Sequence, residues 1–211
     1  MIATEIDKYF TDKVDDIEKQ YDAADQRHTL RFMDDAIRNI TGNNYQALDL
    51  GAGQGHYASR LAERYNFEVV AAEPVAAMIE KGRAKFPDLR ICWAQAALPD
   101  LPQGMQDMEF SFMAALGSWH YLESSEQRAR SLETLKNMLA PGGRFVTIHP
   151  YPTSRPGQQA VSHNMMVDEI KESGWKIERS EKLPYPVSGN KEVSNSVGLL
   201  AYELSFDPFA N

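Results

Sequence analysis

The stretch ALDLGAGQGHY, residues 47 to 57, decides the fold: a short apolar run, a glycine-rich turn and the opening of a helical pattern. Glycines at 51, 53 and 55 let the backbone take positive φ and let a ligand approach it with no Cβ in the way. Outward from this unit, apolar runs alternate with helical patterns. The spacing predicts a strand over Ala47 to Leu50 and a helix from about Tyr57 to Tyr65, then a strand over Glu68 to Ala72 and a helix over Ala76 to Ala84. Leu89 to Trp93 and Glu109 to Ala114 read as further strands, and Glu126 to Leu139 as a helix closed by Pro141, Gly142 and Gly143. Arg144 to Ile148 is the next strand. Such alternation implies an α/β fold with a doubly wound, mostly parallel sheet and helices on both faces.

Both ends of the chain depart from the alternation. Residues 5 to about 40 are charged, poor in Gly and Pro, and carry Ile6, Tyr9, Phe10, Val14 and Ile17 at helical spacing. They read as two helices, with Asp22 and Asp25 offering cap oxygens between them and Gly42 ending the second. At the other end, Val167 to Glu172 reads as a helix stopped by Gly174. Lys176 to Leu183 and Ser196 to Phe206 read as two strands joined through Gly189 and Asn190. Two successive strands without a helix between them predict an antiparallel hairpin at one edge of a seven-stranded sheet. An exposed edge of that kind is also a potential dimer contact, so monomer and homodimer both stay open. A single domain over 1–211 is expected, with 1–41 as an N-terminal helical lid and 42–211 as the core.

Composition narrows the partners. A net charge of -8 without any Lys/Arg run opposes a protein that grips phosphate backbones, so nucleic acid is not an expected partner. The lone Cys92 forms no internal disulfide, no basic stretch followed by an apolar run opens the chain, and no apolar run approaches the roughly 20 residues that span a bilayer. A cytoplasmic protein with no membrane partner is the expectation.

In an open α/β sheet, ligands bind outside the carboxyl ends of the strands, where strand order reverses. Glu73 follows Gly51 by 22 positions, at the predicted end of the second strand, where a carboxylate can accept hydrogen bonds from both ribose hydroxyls of a nucleoside. A dinucleotide site wants G-x-G-x-x-G; here the third glycine falls one place early and His56 stands where that pattern needs Gly.

The pattern D-x-G-x-G-x-G over Asp49 to Gly55 resembles instead that of the class I, Rossmann-like S-adenosylmethionine-dependent methyltransferases. The resemblance runs through Glu73-Pro74, the LPDLP segment after Ala96, the strand ending at Ala114 with Trp119-His120-Tyr121 behind it, and LAPGGR at 139 to 144. It implies S-adenosylmethionine as methyl donor and S-adenosylhomocysteine as product. Gly51, Ala52 and Gly53 would take the methionine moiety, Glu73 the ribose hydroxyls, and Asp49 would orient the loop or the amino group. Pro74 and Met78 would flank the adenine, Gln95 and Ala96 would lie at its edge, and Ala114 belongs to the same set. Relatives often carry Asp near position 95; the Gln95 amide oxygen can accept the same bond.

Methyl transfer is an in-line displacement that depends first on placing the acceptor. His120, past the fourth strand, and His149, ending the fifth in FVTIHPYP, are the candidate bases, each with a simple backbone-bonded role as the alternative. His28 and His163 read as surface or lid residues. Trp119, Tyr121 and Tyr151, with Tyr9 and Tyr21 from the N-terminal helices, are the expected walls of an acceptor pocket, of which Tyr21, Trp119 and Tyr151 are the chosen substrate contacts. Arg155 is a more distant candidate for holding an acidic group.

No Asn/Asp-Pro-Pro-aromatic segment follows the fourth strand, and no Asp-Asn pair of the metal-dependent catechol type stands at the strand ends. A small-molecule acceptor, methylated at O, N, S or C without a metal, is therefore the expectation, with a carboxylate or a phenol among the options. A non-catalytic regulatory or partner protein that binds the same cofactor is the competing reading, and a NAD-linked oxidoreductase the third.

Overall fold

The computed structural model describes residues 2–23, 26–151, 161–185 and 198–207, with side chains described from residue 7 to 19 and from 26 onward within those spans. Seven strands form one sheet in the order β3-β2-β1-β4-β5-β7-β6. They are β1 (Gln46–Leu50), β2 (Glu68–Ala72), β3 (Ile91–Ala94), β4 (Phe110–Leu116), β5 (Leu139–Tyr151), β6 (Lys176–Pro184) and β7 (Gly198–Ser205). The first five run parallel, and β7 lies antiparallel between β5 and β6. The expected hairpin is present, and its second strand is the inner one.

The helices are α1 (Ile2–Asp12), α2 (Val14–Ala23), α3 (Arg27–Arg38), α4 (His56–Tyr65), α5 (Ala76–Lys85), α6 (Gln103–Gln106), α7 (Ser125–Met138) and α8 (His163–Glu172). The central strands read as unbroken apolar runs because both faces of the sheet are covered. On one face Phe32, Met33 and Ala36 of α3 and Ala58 and Leu61 of α4 pack on Ala47, Val69, Phe112 and Val146. On the other, Leu132 and Leu135 of α7 and Met166 and Ile170 of α8 pack on Leu48, Met113 and Phe145. Among the described residues no helix is long and apolar enough to cross a membrane.

Several boundaries differ from expectation for local reasons. The N-terminal segment holds three helices: a step at Lys13 separates α1 from α2, and α3 begins at Arg27 behind Gln26, which makes no side-chain cap bond. Asp25 lies outside the described residues, as does the Asp22 side chain. The helix expected from Val167 starts at His163 because the Ser162 hydroxyl accepts the Met165 N–H at 3.2 Å, a cap bond that satisfies a first-turn donor. Pro141 to Gly143 do not form a loop after α7; they are the irregular start of β5, which pairs with β4 from Leu139. The segment around Gly189 and Asn190, the start of the last strand at Ser196, and Arg155 lie outside the described residues.

The order β2-β1-β4 places the reversal of strand order at β1 and β4, whose carboxyl ends open the crevice where such sheets bind ligands. Both the glycine turn and the segment Leu116 to Ser118 border it.

Candidate active site

A cavity of about 500 Å3 occupies that crevice. Its floor is the turn after β1. Gly51 (φ +70°) and Gly53 (φ +56°) both take the left-handed conformation that side chains resist, for different spatial reasons. A Cβ at Gly51 would lie 2.4 Å from Ser118 Cβ, whereas one at Gly53 would meet nothing within 4 Å. The first glycine lets the turn pack against the segment after β4; the second leaves the backbone bare toward the cavity. Across the crevice, a Cβ at Gly117 would also meet nothing within 4 Å.

Glu73, just past β2, ties the next wall to this turn. Its Oε2 accepts the Gly53 N–H at 2.8 Å and its Oε1 accepts the Val75 N–H at 3.0 Å. Burial raises the Glu73 pKa above the usual carboxylate range, those two N–H groups oppose the rise, and the Asp7 carboxylate adds to it. Pro74, Val75 and Met78 continue the wall.

A roof comes from the N-terminal helices. Asp7 and Phe10 of α1 and Ile17 of α2 line the cavity, and the Phe10 ring meets Tyr121 edge-on at 5.7 Å. Two ion pairs tie α2 to α5, Asp15 with Lys81 at 2.6 Å and Glu18 with Lys85 at 2.8 Å. From below, Gln54 Nε2 donates to the Val14 carbonyl at 2.6 Å. Helix α3, within the segment expected to form the lid, packs on the sheet instead.

Of the residues expected to bind a cofactor, Gly51, Ala52, Gly53, Glu73, Pro74 and Met78 line the cavity. Asp49 lies beneath it, buried in β1 and registered against Ala71 and Ala114, and its carboxylate accepts the Ala58 backbone N–H at the start of α4. Burial, and then the charge on Glu73, push its pKa up to about 7. Ala114 is fully buried mid-strand and does not reach the cavity. Gln95 and Ala96 are outside the lining as well: Gln95 is exposed and donates to the Pro74 carbonyl at 3.0 Å, and the Ala96 N–H donates to the Glu73 carbonyl at 3.3 Å. They brace the segment that delivers Ala97 and Leu98 to the wall.

The two histidines part company. His120 sits in the 3₁₀ turn Trp119–Tyr121, 2 % exposed, between two residues that line the cavity, with its ring 4.4 Å from that of Tyr121. His149 is fully buried away from the cavity, on the α7–α8 side of the sheet, its ring stacked on Tyr202 at 5.9 Å and 15°. Neither of its ring nitrogens makes a hydrogen bond, although the nearby Val161 backbone slightly favours the protonated ring. Burial, and then the Arg128 charge, lower its pKa to about 4.

Trp119 lines the cavity; Tyr151 packs against the α7–α8 core and does not, and the Tyr21 side chain lies outside the described residues. Tyr9 packs on Phe10 at 5.3 Å and faces outward, 47 % exposed. The sequence offered no specific signal for Asp7, Gln54, Ser118, Glu123 or Gln127, which also line the cavity. Among the described residues no group of three or more His, Cys, Asp or Glu side chains converges as a metal ion requires.

Residues 47–143 match the family model described as a methyltransferase domain. An uncharacterized methyltransferase of Mycobacterium tuberculosis is 31 % identical over 100 residues, 47 % of this chain and 37 % of that protein, so the chain spans well under half the length of the curated relatives that it matches. Among solved structures, an S-adenosylmethionine-dependent methyltransferase from Clostridium acetobutylicum superposes with a TM-score of 0.67 at 16 % identity, covering 86 % of this chain and 92 % of that one. A cyclopropane synthase of Mycobacterium tuberculosis superposes with a TM-score of 0.65 at 10 % identity, covering 83 % of each. Residues 47–143 thus match a methyltransferase domain, within a chain whose fold is that of the class I S-adenosylmethionine-dependent methyltransferases.

Proposed function

We propose that this protein transfers a methyl group from S-adenosylmethionine to a small-molecule acceptor. The observation that carries the reading is the Glu73 carboxylate, bonded to the bare backbone of Gly53 and lining a cavity large enough for a ligand. A carboxylate has about four acceptor sites, and one N–H on each oxygen leaves capacity for two ribose hydroxyls. The open positions at Gly53 and Gly117 suit close approach of a ligand from both sides.

When bound, the cofactor supplies an electrophilic methyl carbon on a sulfonium. The chain's own residues then have three tasks. Gly51 to Gly53 and Glu73 hold the nucleoside and its methionine arm, Pro74 and Met78 flank the base, and Gln95 and Ala96 border it through the Pro74 and Glu73 carbonyls they bond. Phe10, Ile17, Trp119 and Leu122 exclude water from the reacting atoms, which strengthens every charge interaction inside. His120, adjoining the wall, is the group we assign to accept a proton from the acceptor; His149, buried under α7 and α8, is assigned a packing role. Asp49 acts indirectly, holding α4 on β1 through the Ala58 N–H.

The lining past β4, from Ser118 to Gln127, is space that a cofactor-binding regulator would not need, and it favours an enzyme. Calorimetric titration with S-adenosylmethionine, S-adenosylhomocysteine and NAD tests the reading. Micromolar binding of the first two and none of NAD is expected; the reverse order overturns it.

A further inference from the structure

We infer that the acceptor is a small apolar amine. The inference rests on the methyl-transfer reading and concerns the part of the cavity that the cofactor assignment leaves over. Of the acidic and basic side chains lining the cavity among the described residues, four are carboxylates, Asp7, Glu73, Asp100 and Glu123, and one is an imidazole, His56; no Lys or Arg lines it. Glu73 is assigned to the ribose, and Asp100 is paired with Arg130 at 2.8 Å. Asp7 and Glu123 have no cationic partner among the described residues, and Asp7 stands close enough to Glu73 to disfavour its ionised form. Like charges facing one cavity are costly unless a cation enters it.

Two further features select the same class. Phe10, Trp119 and Tyr121 are among the residues lining the cavity, and aromatic ring faces attract ammonium groups while giving carboxylates nothing. Gln54, 3 % exposed, spends Nε2 on the Val14 carbonyl and leaves Oε1, an acceptor, without a hydrogen-bond donor. An amine brings N–H donors and positive charge to such a wall; a carboxylate or phosphate ester brings neither and is repelled.

The chemistry balances with the residues present. The ammonium first loses a proton, to His120 or to water. The freed nitrogen lone pair forms the N–C bond as the C–S bond breaks; the sulfonium becomes a neutral thioether and the positive charge passes to the methylated nitrogen. Loss of a second proton releases a neutral methylamine, or the product leaves as its cation.

The test compares three ligands with one ring and three charges, 2-phenylethylamine, 2-phenylethanol and phenylacetate, titrated into the full chain with and without S-adenosylhomocysteine. The amine is expected to bind at least tenfold more tightly than the acid, with the alcohol between them. Glu123→Gln should lower amine affinity several-fold and leave the alcohol unchanged, and Glu123→Lys should bring the acid level with the amine or ahead of it. Glu123 is exposed, so both variants should fold. An acid that equals or exceeds the amine on the unaltered protein, or an amine that does not bind in either state, overturns the inference. Failure of S-adenosylhomocysteine itself to bind overturns the methyl-transfer reading instead, while the charge ranking is still read on the free protein.

Discussion

The backbone N–H of Gly53 donates to Glu73 Oε2 at 2.8 Å, so the turn after β1 and the end of β2 are joined through one carboxylate. Replacing Glu73 by Ala leaves the Gly53 and Val75 N–H groups without acceptors and removes the proposed ribose partner. Cofactor binding should weaken by about 2 to 3 kcal/mol, on the order of 30- to 150-fold. Glu73→Gln should fall between, because its amide NH2 must face a backbone donor. Calorimetry with S-adenosylhomocysteine reads both variants, and unchanged affinity in Glu73→Ala would remove the ribose role.

Gly51 and Gly53 share a backbone conformation and should fail differently. Gly51→Ala adds strain of about 1 to 2 kcal/mol for the left-handed backbone, plus overpacking of about 1 to 3 kcal/mol against Ser118, whose hydroxyl donates to the Leu50 carbonyl at 2.7 Å. The variant should melt well below the unaltered protein. Gly53→Ala carries only the backbone strain, yet its methyl occupies ligand space, so the fold should survive while cofactor affinity falls tenfold or more. Melting curves set beside titrations separate the two; equal melting temperatures with equal affinities would contradict both.

The parallel core was readable because burial on both faces writes each strand as an apolar run, and β2 spans the expected Glu68–Ala72. The glycine turn was readable because glycine takes the left-handed backbone of positions 51 and 53 at no steric cost. The roof was not: the apolar stripe of α1 says that Phe10 is covered, and nothing local says that Tyr121, 111 positions away, covers it. Nothing in the sequence singles out Glu123 and Asp7 until the fold turns them toward one cavity. His149 ends a strand at the expected rim, but the side chain's alternation along β5, registered against Leu200, sends it to the opposite face from Ile148, a placement that the strand end alone does not give.

Asp49 links the site to stability. Its pKa in the fold, about 7, stands above the ordinary 3.8, so between those values the folded chain holds a proton that the unfolded chain has released. Stability therefore falls as pH rises through that window and levels off above pH 7, by up to about 4 kcal/mol at 1.4 kcal/mol per unit. Asn at 49 keeps a carbonyl for the Ala58 N–H and does not titrate. The stability of Asp49→Asn relative to the unaltered protein should thus rise from pH 5 to pH 8 in urea unfolding. A difference that stays constant with pH would show that burial does not hold the proton on Asp49.

His149 has the opposite linkage. Burial depresses its pKa from 6.5 to about 4, so as pH falls from 6.5 toward 4 the unfolded chain takes up a proton that the folded chain refuses. Stability is present above pH 6.5 and lost through that window, by up to about 3 kcal/mol. His149→Phe keeps a ring against Tyr202 and removes the titration. It should unfold at lower pH than the unaltered protein, with the pH profile of turnover unchanged. His120→Asn should behave the other way: turnover falls 100-fold or more if a base is lost, while cofactor affinity stays within about twofold. Reversed outcomes, with the turnover profile moving in His149→Phe and not in His120→Asn, would transfer the proton-accepting role to the buried ring and require a path from it to the cavity.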